Sequence, residues 1–226
     1  MIKAVIFDMD GTLIDSNDFH ASAWREILAK YGHKVAFEQV RHQIGKGGDQ
    51  LMPVFLSEEE VERDGPRIEE ERSELFKRDY LPRIEAFPMT RELFERIKRD
   101  GKQILLASSS KGTELDVYKK IARIDDLIED ATSSDDAERS KPHPDIFEAV
   151  LTKLDGMAPE EAIVVGDTPY DAEAAREAGL ATIGLLCGGF PEAELRASGC
   201  IAIFRDPADL LARYDESPLG RGRIPG

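Results

Sequence analysis

The sequence predicts an α/β fold built on a doubly wound parallel sheet, with a helical segment inserted into it. Short, continuous apolar runs at residues 4–7, 104–107 and 163–165 are typical of strands that are buried on both faces. Amphipathic segments of helical length separate these runs, and Gly101 and Gly179 supply stop signals behind two of them. Strands that alternate with helices in this way indicate a parallel sheet covered by helices on both faces.

Weaker apolar runs at residues 181–185 and 201–203 extend the predicted sheet. The helices that we predict around it cover residues 90–99, 113–122, 144–154, 171–178 and 207–214. These assignments place the core of the protein in residues 1–14 and 84–216.

The segment from residue 15 to residue 83 interrupts this alternation, because it contains no convincing strand. Residues 21–31 have a helical pattern, and residues 57–80 combine many Glu, Arg and Lys side chains with apolar residues near helical spacing. We therefore predict an α-helical cap domain at 15–83, and we assign the charged run at 58–74 to the solvated face of one of its helices. Residues 217–226 are predicted to form a flexible tail.

The composition excludes several classes of protein. The chain has 226 residues and a formal charge of −15, which argues against nucleic acid as a partner because phosphate backbones are bound by clustered Lys and Arg. No apolar run approaches the roughly 20 residues of a membrane span, and no signal peptide is visible, so we expect no membrane association. Cys187 and Cys200 form no disulfide framework and no CxxC pair, which favours a reducing, cytoplasmic location.

Two carboxylates directly follow the first predicted strand. Asp8 and Asp10 are expected at the edge of the sheet where ligands bind, because ligands of parallel α/β sheets lie beyond the carboxyl ends of the strands. Two carboxylates this close repel each other unless a cation or a shared proton compensates. A surface turn with solvated aspartates is the alternative interpretation.

Three further polar groups follow in order along the chain. Ser108 comes after the second predicted strand and could help to bind an anion, although a simple helix N-cap explains this serine-rich stretch equally well. Lys141 stands on a rigid Lys-Pro-His-Pro turn and could direct one positive charge at a fixed point, or face solvent. Asp167 and Asp171 are spaced as ligands of a hard cation are, with a helix-dipole partner as the alternative for Asp171.

Taken together, these groups resemble the four signature motifs of the haloacid dehalogenase-like superfamily. The matching positions are Asp8-Met9-Asp10-Gly11-Thr12, Ser108, Lys141 and Gly166-Asp167-Thr168-Pro169-Tyr170-Asp171. The sequence is most similar to the branch that includes phosphoglycolate phosphatases and β-phosphoglucomutases. The resemblance implies a Rossmann-like core with a small α-helical cap inserted after the first motif.

The resemblance also implies roles for these residues. Asp8 would attack phosphorus, and Asp10 would act as general acid and base. One Mg²⁺ would be held by Asp8, by the backbone carbonyl of Asp10 and by Asp167, with Asp171 as a further ligand or an anchor. The residues that would bind the phosphoryl oxygens are Ser108, Ser109, Lys141, Gly11 and Thr12.

In the cap, substrate choice is expected to depend on the segment 44–50, with Lys46 and Gly47 at its centre, and on His20. A cap lysine forms a Schiff base in the related phosphonoacetaldehyde hydrolases, but a salt contact or a solvated Lys46 is the simpler interpretation. His20 is equally expected to pack or to form a hydrogen bond on the first cap helix.

The function implied is a Mg²⁺-dependent phosphatase that hydrolyses a small phosphorylated metabolite through an aspartyl-phosphate, as a monomer or a homodimer. The alternatives are a phosphosugar mutase, a phosphonoacetaldehyde hydrolase and a non-catalytic binding module of the same fold. Two departures favour the phosphatase over the mutase. Gly48 stands where the mutase loop presents an arginine, and the fourth motif reads Gly-Asp-Thr-Pro-Tyr-Asp where the mutases tend to carry Glu-Asp.

Overall fold

The computed structural model describes residues 1–154 and 156–224, and six strands in these ranges form one parallel sheet. The strands are β1 (Ala4–Phe7), β2 (Gln103–Ala107), β3 (Asp130–Thr132), β4 (Ala162–Gly166), β5 (Ala181–Leu185) and β6 (Cys200–Phe204). Their order in the sheet is β3-β2-β1-β4-β5-β6. After β1 the chain adds β2 and β3 on one side of that strand and then β4, β5 and β6 on the other, so the order of the strands reverses beside β1. This reversal makes the carboxyl ends of β1 and β4 the expected position of a ligand site.

The register of the sheet brings the motif residues to one edge. Phe7, the last residue of β1, pairs with Leu106 of β2 and Val165 of β4. The chain therefore leaves the sheet at the same level after all three strands, and Asp8, Ser108 and Asp167 follow within two residues of that level.

Four helices lie between β1 and the rest of the core: α1 (Asn17–Lys30), α2 (Phe37–Arg41), α3 (Gly48–Phe55) and α4 (Glu58–Asp79). They share a small apolar cluster of their own, in which Trp24, Leu28, Leu51 and Ile68 are buried. Because a helix must bury its apolar stripe against another element, these four helices stabilise one another through this cluster. We retain the predicted cap boundaries of 15–83 as a proposal.

The remaining helices cover the sheet. They are α5 (Thr90–Arg99), α6 (Gly112–Ala122), α7 (Asp145–Lys153), α8 (Pro169–Glu177), α9 (Glu192–Ser198), α10 (Pro207–Ala212) and α11 (Pro218–Arg221). Successive residues of β1 serve opposite faces of the sheet, since Val5 and Phe7 belong to one apolar cluster and Ala4 and Ile6 to the other. The prediction of a doubly wound α/β sheet is confirmed.

The prediction of a flexible tail is wrong for residues 217–222. The backbone N–H of Ile2 donates a 2.9 Å hydrogen bond to the carbonyl of Gly222, and Pro218 and Leu219 are buried. The tail is held because Leu219 joins the large apolar cluster on one face of the sheet. Residues 225–226 lie outside the described residues.

The sequence analysis did not predict the strand β3 or the helix α9. The strand β3 is only three residues long and begins with a charged residue, so no apolar run marks it. The helix α9 follows Pro191 as a short, largely polar segment in which Leu195 is the main buried apolar side chain. In residues 1–154 and 156–224, no helix is both long and apolar enough to cross a membrane.

Candidate active site

The end of β1 delivers Asp8 into a buried position beside Lys141. The ammonium Nζ of Lys141 lies 2.5 Å from Oδ1 of Asp8 and 2.7 Å from Oδ1 of Asp171, and it also donates to the carbonyl of Ala107 at 3.2 Å. Burial alone lowers the pKa of Lys141, but Asp171 and Asp8 outweigh it and hold that pKa above its ordinary value. Lys141 is therefore a fixed positive charge between two carboxylates.

Lys141 reaches the site by a different route from the other motif residues. The lysine does not leave a strand end as Asp8, Ser108 and Asp167 do, because β3 ends at Thr132. Lys141 lies further along, in the loop that precedes α7, and its side chain returns to the edge of the sheet.

Asp167 lies on the other side of Asp8. Its Oδ1 accepts a 2.7 Å hydrogen bond from the hydroxyl of Thr12, and its Oδ2 accepts one of 2.9 Å from the side-chain amide of Asn17. Gly11 has φ +75° and could carry no side chain, since an added Cβ would lie 2.4 Å from Oδ2 of Asp167. The first motif thus packs directly against the fourth.

Asp8, Asp167 and Asp171 each place a carboxylate oxygen within 4.8 Å of the others, and all three are buried. Burial, followed by the charge of Asp171, raises the pKa of Asp167 to about 7. Burial also raises the pKa of Asp8, against the opposing charge of Lys141. One lysine does not balance three carboxylates, and hard oxygen donors are the ligands that divalent cations such as Mg²⁺ prefer, so the residues fit a divalent metal ion.

The side chain of Asp10 is not part of this cluster. Its Oδ1 accepts from the hydroxyl of Ser16 at 2.6 Å and lies 2.9 Å from Nε2 of His20, and its Oδ2 accepts from the hydroxyl of Ser110 at 2.8 Å. Burial works to raise the pKa of Asp10, but these partners, His20 first among them, hold it below its ordinary value. The side chain of Asp10 therefore lies outside the carboxylate cluster and faces the start of the first cap helix.

His20 contacts Asp10 and also lines the cavity described below. Its ring stacks on Phe76 with centroids 4.0 Å apart, and the hydroxyl of Tyr118 lies 3.4 Å from its Nε2. The structure therefore places His20 where it fixes the carboxylate of Asp10, which agrees with the hydrogen-bonding interpretation of this residue.

Ser108 is fully buried, and its Oγ accepts a 3.1 Å hydrogen bond from the backbone N–H of Ser110. It does not line the cavity described below, whereas Ser109 and Ser110 do. Of the other residues predicted to bind phosphate, Gly11, Thr12 and Lys141 are also absent from the cavity wall. Thr12 and Lys141 instead contact the carboxylate of Asp8.

A cavity of about 590 Å³ separates the sheet edge from the cap helices. Asp8, Asp10, Ser109 and Ser110 form part of its wall on the core side. Its apolar wall on the cap side includes Trp24, Ile44, Met52, Val61 and Pro66. A cavity of this size accommodates a small metabolite.

Lys46 and Gly47, which the sequence analysis predicted to influence substrate choice, both line this cavity. The ammonium of Lys46 donates to Oε1 of Gln43 at 2.6 Å and lies 4.7 Å from the ring centroid of Tyr170. Burial lowers the pKa of Lys46. Gly47 lies against Ser140, since an added Cβ there would lie 2.0 Å from the Ser140 hydroxyl.

Glu69 and Arg72 of α4 also line the cavity, which corrects their assignment to a solvated helix face. Oε1 of Glu69 accepts from Nη2 of Arg72 at 2.5 Å, and the guanidinium carbon of Arg72 lies 5.3 Å from the ring centroid of Trp24. The sequence analysis also missed Ser16, Asn17 and Ser110. Ser16 and Asn17 begin the first cap helix directly after the first motif, and that proximity was the available signal.

A sequence model described as haloacid dehalogenase-like hydrolase matches residues 5–185. The chain belongs to this family. The match covers the first and fourth motifs, the helical segment between β1 and α5, and the cluster of carboxylates around Asp8.

Two relatives and one solved structure extend this result. A phosphorylated carbohydrates phosphatase of Thermotoga maritima is 27% identical over 184 residues, which cover 80% of this chain and 84% of the relative. Pyrophosphatase PpaX of Bacillus thuringiensis is 29% identical over 185 residues, which cover 80% and 82%. A proposed beta-phosphoglucomutase of Bacteroides vulgatus is 25% identical, with a TM-score of 0.85 over 99% of this chain and 91% of the other.

Proposed function

We propose that this hydrolase is a Mg²⁺-dependent phosphatase that releases phosphate from a small phosphorylated metabolite through an aspartyl-phosphate. The observation that carries the proposal is the position of Asp8, whose carboxylate lines the cavity while Lys141 holds its Oδ1. The matches to two phosphatases support hydrolysis of a phosphorylated substrate.

Asp8 is the group that we expect to attack phosphorus. The attack joins a carboxylate oxygen of Asp8 to phosphorus, and the bond from phosphorus to the leaving oxygen breaks. Lys141 offsets the charge that two anions bring together, and its contact with the Ala107 carbonyl keeps the ammonium in place.

Asp10 is the group that we expect to protonate the leaving oxygen and then to accept a proton from the attacking water. Its anchoring by His20, Ser16 and Ser110 supports the second of these steps, because these partners hold the carboxylate at one fixed point and lower its pKa, which keeps it ionised and able to accept a proton. Water then attacks phosphorus, inorganic phosphate leaves and the Asp8 carboxylate is restored.

Asp8 and Asp167 are the residues that would hold Mg²⁺, with Asp171 nearby and the Asp10 carbonyl still a prediction. When bound, the ion would supply positive charge to the phosphoryl oxygens. The raised pKa values of Asp8 and Asp167 support a need for this charge, because both carboxylates are disfavoured in their ionised forms without it.

The mutase alternative requires a second phosphate to be gripped by the cap. An added Cβ at Gly48 would lie 2.1 Å from Oε2 of Glu69, so the place of the mutase arginine is occupied by a carboxylate. This contact favours hydrolysis of a monophosphate over mutase chemistry.

The phosphonoacetaldehyde hydrolase alternative depends on Lys46 as an amine nucleophile. The lowered pKa of Lys46 is the one observation that favours it, since a Schiff base forms from the neutral amine. Borohydride trapping of phosphonoacetaldehyde on the protein, located by mass spectrometry, tests it. A modified Lys46 would replace the phosphatase proposal, and unmodified protein would remove the alternative.

The deciding experiment compares Asp8→Asn and Asp10→Asn with the unaltered protein on p-nitrophenyl phosphate with Mg²⁺. We expect Asp8→Asn to lower kcat by roughly a thousandfold or more, because an amide is not a nucleophile here. The Asp10→Asn protein should release nitrophenolate once per chain and then stall, because nitrophenolate leaves without a proton but water needs a base.

The matched control is Asp125→Asn, which makes the same change at an exposed carboxylate away from the site and should leave kcat unchanged. Full activity of Asp8→Asn would contradict the proposal. Isomerised product without free phosphate, from β-glucose 1-phosphate and a bisphosphate primer, would favour the mutase instead.

A further inference from the structure

Arg72 is an unusual group in the cap wall of the cavity, because it is a cation that is only 9% exposed. Its guanidinium lies over Trp24 and near Phe76, whose ring stacks on His20, the partner of Asp10. A chain of direct contacts therefore runs from Arg72 to the proposed acid.

Most of the hydrogen-bonding capacity of this guanidinium is unused. Within the described part of the chain, only Nη2 bonds a protein group, namely Oε1 of Glu69. Nε of Arg72 and Oε2 of Glu69 are both buried without a hydrogen-bond partner in that same part. A buried donor and a buried acceptor that lack partners cost free energy, and the cost is recovered when ligand groups satisfy them.

The chemistry of the pair selects the kind of ligand. A hydroxyl group can donate to the Glu69 carboxylate and accept from the Arg72 guanidinium, whereas an alkyl chain can do neither. The charge of Arg72 is already balanced by Glu69 at 2.5 Å, so the pair offers little net attraction to an anion.

The rest of the cap wall disfavours a second anion as well. Asp49, Glu62 and Glu69 line the cavity on this side against two cations, Lys46 and Arg72. A phosphate or carboxylate at the remote end of the substrate would meet this excess of negative charge.

We propose that Glu69 and Arg72 form a specificity pair that recognises hydroxyl groups on a neutral leaving group and rejects a second anionic group. This inference rests on the proposed phosphatase function and deepens it. The substrate class that it names is the monophosphate of a neutral polyhydroxylated compound, and the pair acts in binding rather than in the chemical steps.

The test measures kcat/KM with Mg²⁺ for sorbitol 6-phosphate, hexyl phosphate and fructose 1,6-bisphosphate. The first two have six carbons and one phosphate each, and they differ in hydroxyl groups. We expect the unaltered protein to favour sorbitol 6-phosphate over each of the others by about tenfold or more, because a site built for hydroxyl groups discriminates strongly against substrates that leave it unpaired.

Glu69→Gln and Arg72→Lys should each bring the ratio for sorbitol 6-phosphate over hexyl phosphate close to one, mainly through a higher KM for sorbitol 6-phosphate. Glu69→Gln should also lower the ratio of kcat/KM for sorbitol 6-phosphate over fructose 1,6-bisphosphate. The matched control is Glu70→Gln, on the same helix but exposed, which should keep all three ratios.

Melting temperatures establish that each variant is folded. Because Arg72 is buried, the Arg72→Lys protein could fail to fold. In that case Glu69→Gln, which keeps the size of the side chain, decides the result alone. Ratios that stay unchanged in Glu69→Gln, or an unaltered protein that prefers hexyl phosphate, would overturn the inference while leaving the phosphatase intact. If the protein released no phosphate from these three substrates or from p-nitrophenyl phosphate, the proposed function itself would be overturned.

Discussion

Asp167 combines three properties that seldom occur together in one carboxyl group. It is fully buried, it lies among other carboxylates, and its hydrogen bonds come from two neutral donors, Thr12 and Asn17. Neutral donors stabilise a carboxylate less than a cation does, so burial prevails and the pKa rises to about 7. At neutral pH the carboxyl group of Asp167 is therefore partly protonated, and a cation bound there would displace this proton.

We predict that Mg²⁺ affinity increases with pH through about pH 7, because Mg²⁺ competes with the proton on Asp167. Below pH 7 each pH unit should cost about tenfold in affinity. Without metal the same shift acts on stability. The folded chain binds a proton that the unfolded chain releases, so this group's contribution to the free energy of unfolding decreases between about pH 4 and pH 7.

Calorimetric titrations with Mg²⁺ at about pH 5.5, 6.5 and 7.5 measure this dependence. Asp167→Asn serves as the control, since it has no carboxyl group to titrate and should lose most of the affinity at every pH. An affinity of the unaltered protein that does not change over this range would contradict the prediction.

Asp10 can be identified as a site residue from the sequence alone, whereas its partner His20 cannot. Asp10 is recognisable because it stands two residues after Asp8 in a distinctive motif. No local motif marks His20 as a site residue, because the sequence shows only that it lies on a helix. Its contact with Asp10 depends on the direction in which α1 leaves the sheet. The sequence supported hydrogen bonding by His20 but did not identify its partner.

The helix α4 contributes both the charged pair of the cavity wall and much of the cap's packing. It is 22 residues long and contains Gly65 and Pro66, which weaken a helix at its centre. At its start, the hydroxyl of Ser57 accepts from the backbone N–H of Glu60, and the Glu60 carboxylate accepts from the backbone N–H of Ser57 at 2.8 Å. This capping box stabilises the end of α4 that leads toward the cavity.

We predict that Ser57→Ala lowers the free energy of unfolding by about 0.5–2 kcal/mol, because the Ser57 hydroxyl no longer accepts from the backbone N–H of Glu60 or donates to the Glu60 carboxylate. Denaturant unfolding measures the change. Thr152→Ala, an exposed substitution within α7, is the control and should stay within about 0.5 kcal/mol of the unaltered protein. An unchanged midpoint for Ser57→Ala would show that α4 does not depend on this cap.

At the scale of the whole molecule, the two ends of the described chain are joined. Ile2 lies just before the central strand β1, and it bonds the carbonyl of Gly222 just after α11. Leu219 is fully buried in the apolar cluster that also contains Val5 and Phe7. The carboxyl-terminal segment is thus part of the core that supports the active edge of the sheet.

We predict that Leu219→Ala costs about 2–5 kcal/mol of stability, as large-to-small substitutions in a packed core do. Thermal and denaturant unfolding measure the loss. Arg223→Ala changes an exposed residue of the same segment and should have little effect. A Leu219→Ala protein as stable as the Arg223→Ala protein would restore the interpretation of this segment as a loose tail.

The predictability of the site follows from where each residue stands in the chain. Asp8 and Asp167 directly follow buried apolar strands, so a local pattern marks them. Glu69 and Arg72 stand in a run of charged residues where nothing local distinguishes them from Glu70 and Arg67. They differ because residues on one face of α4 meet the cavity and residues on the other meet solvent, and that depends on how the cap packs.

The sequence alone determined the parallel α/β architecture, the helical insert and the order of the four motifs, because apolar periodicity and chain position are local properties. Tertiary structure alone decided that Asn17 holds Asp167, that Lys141 returns to the sheet from a loop, and that the last helix joins the core. These contacts link residues far apart in the chain, and their free energies depend on burial and distance, which appear only once the chain has folded.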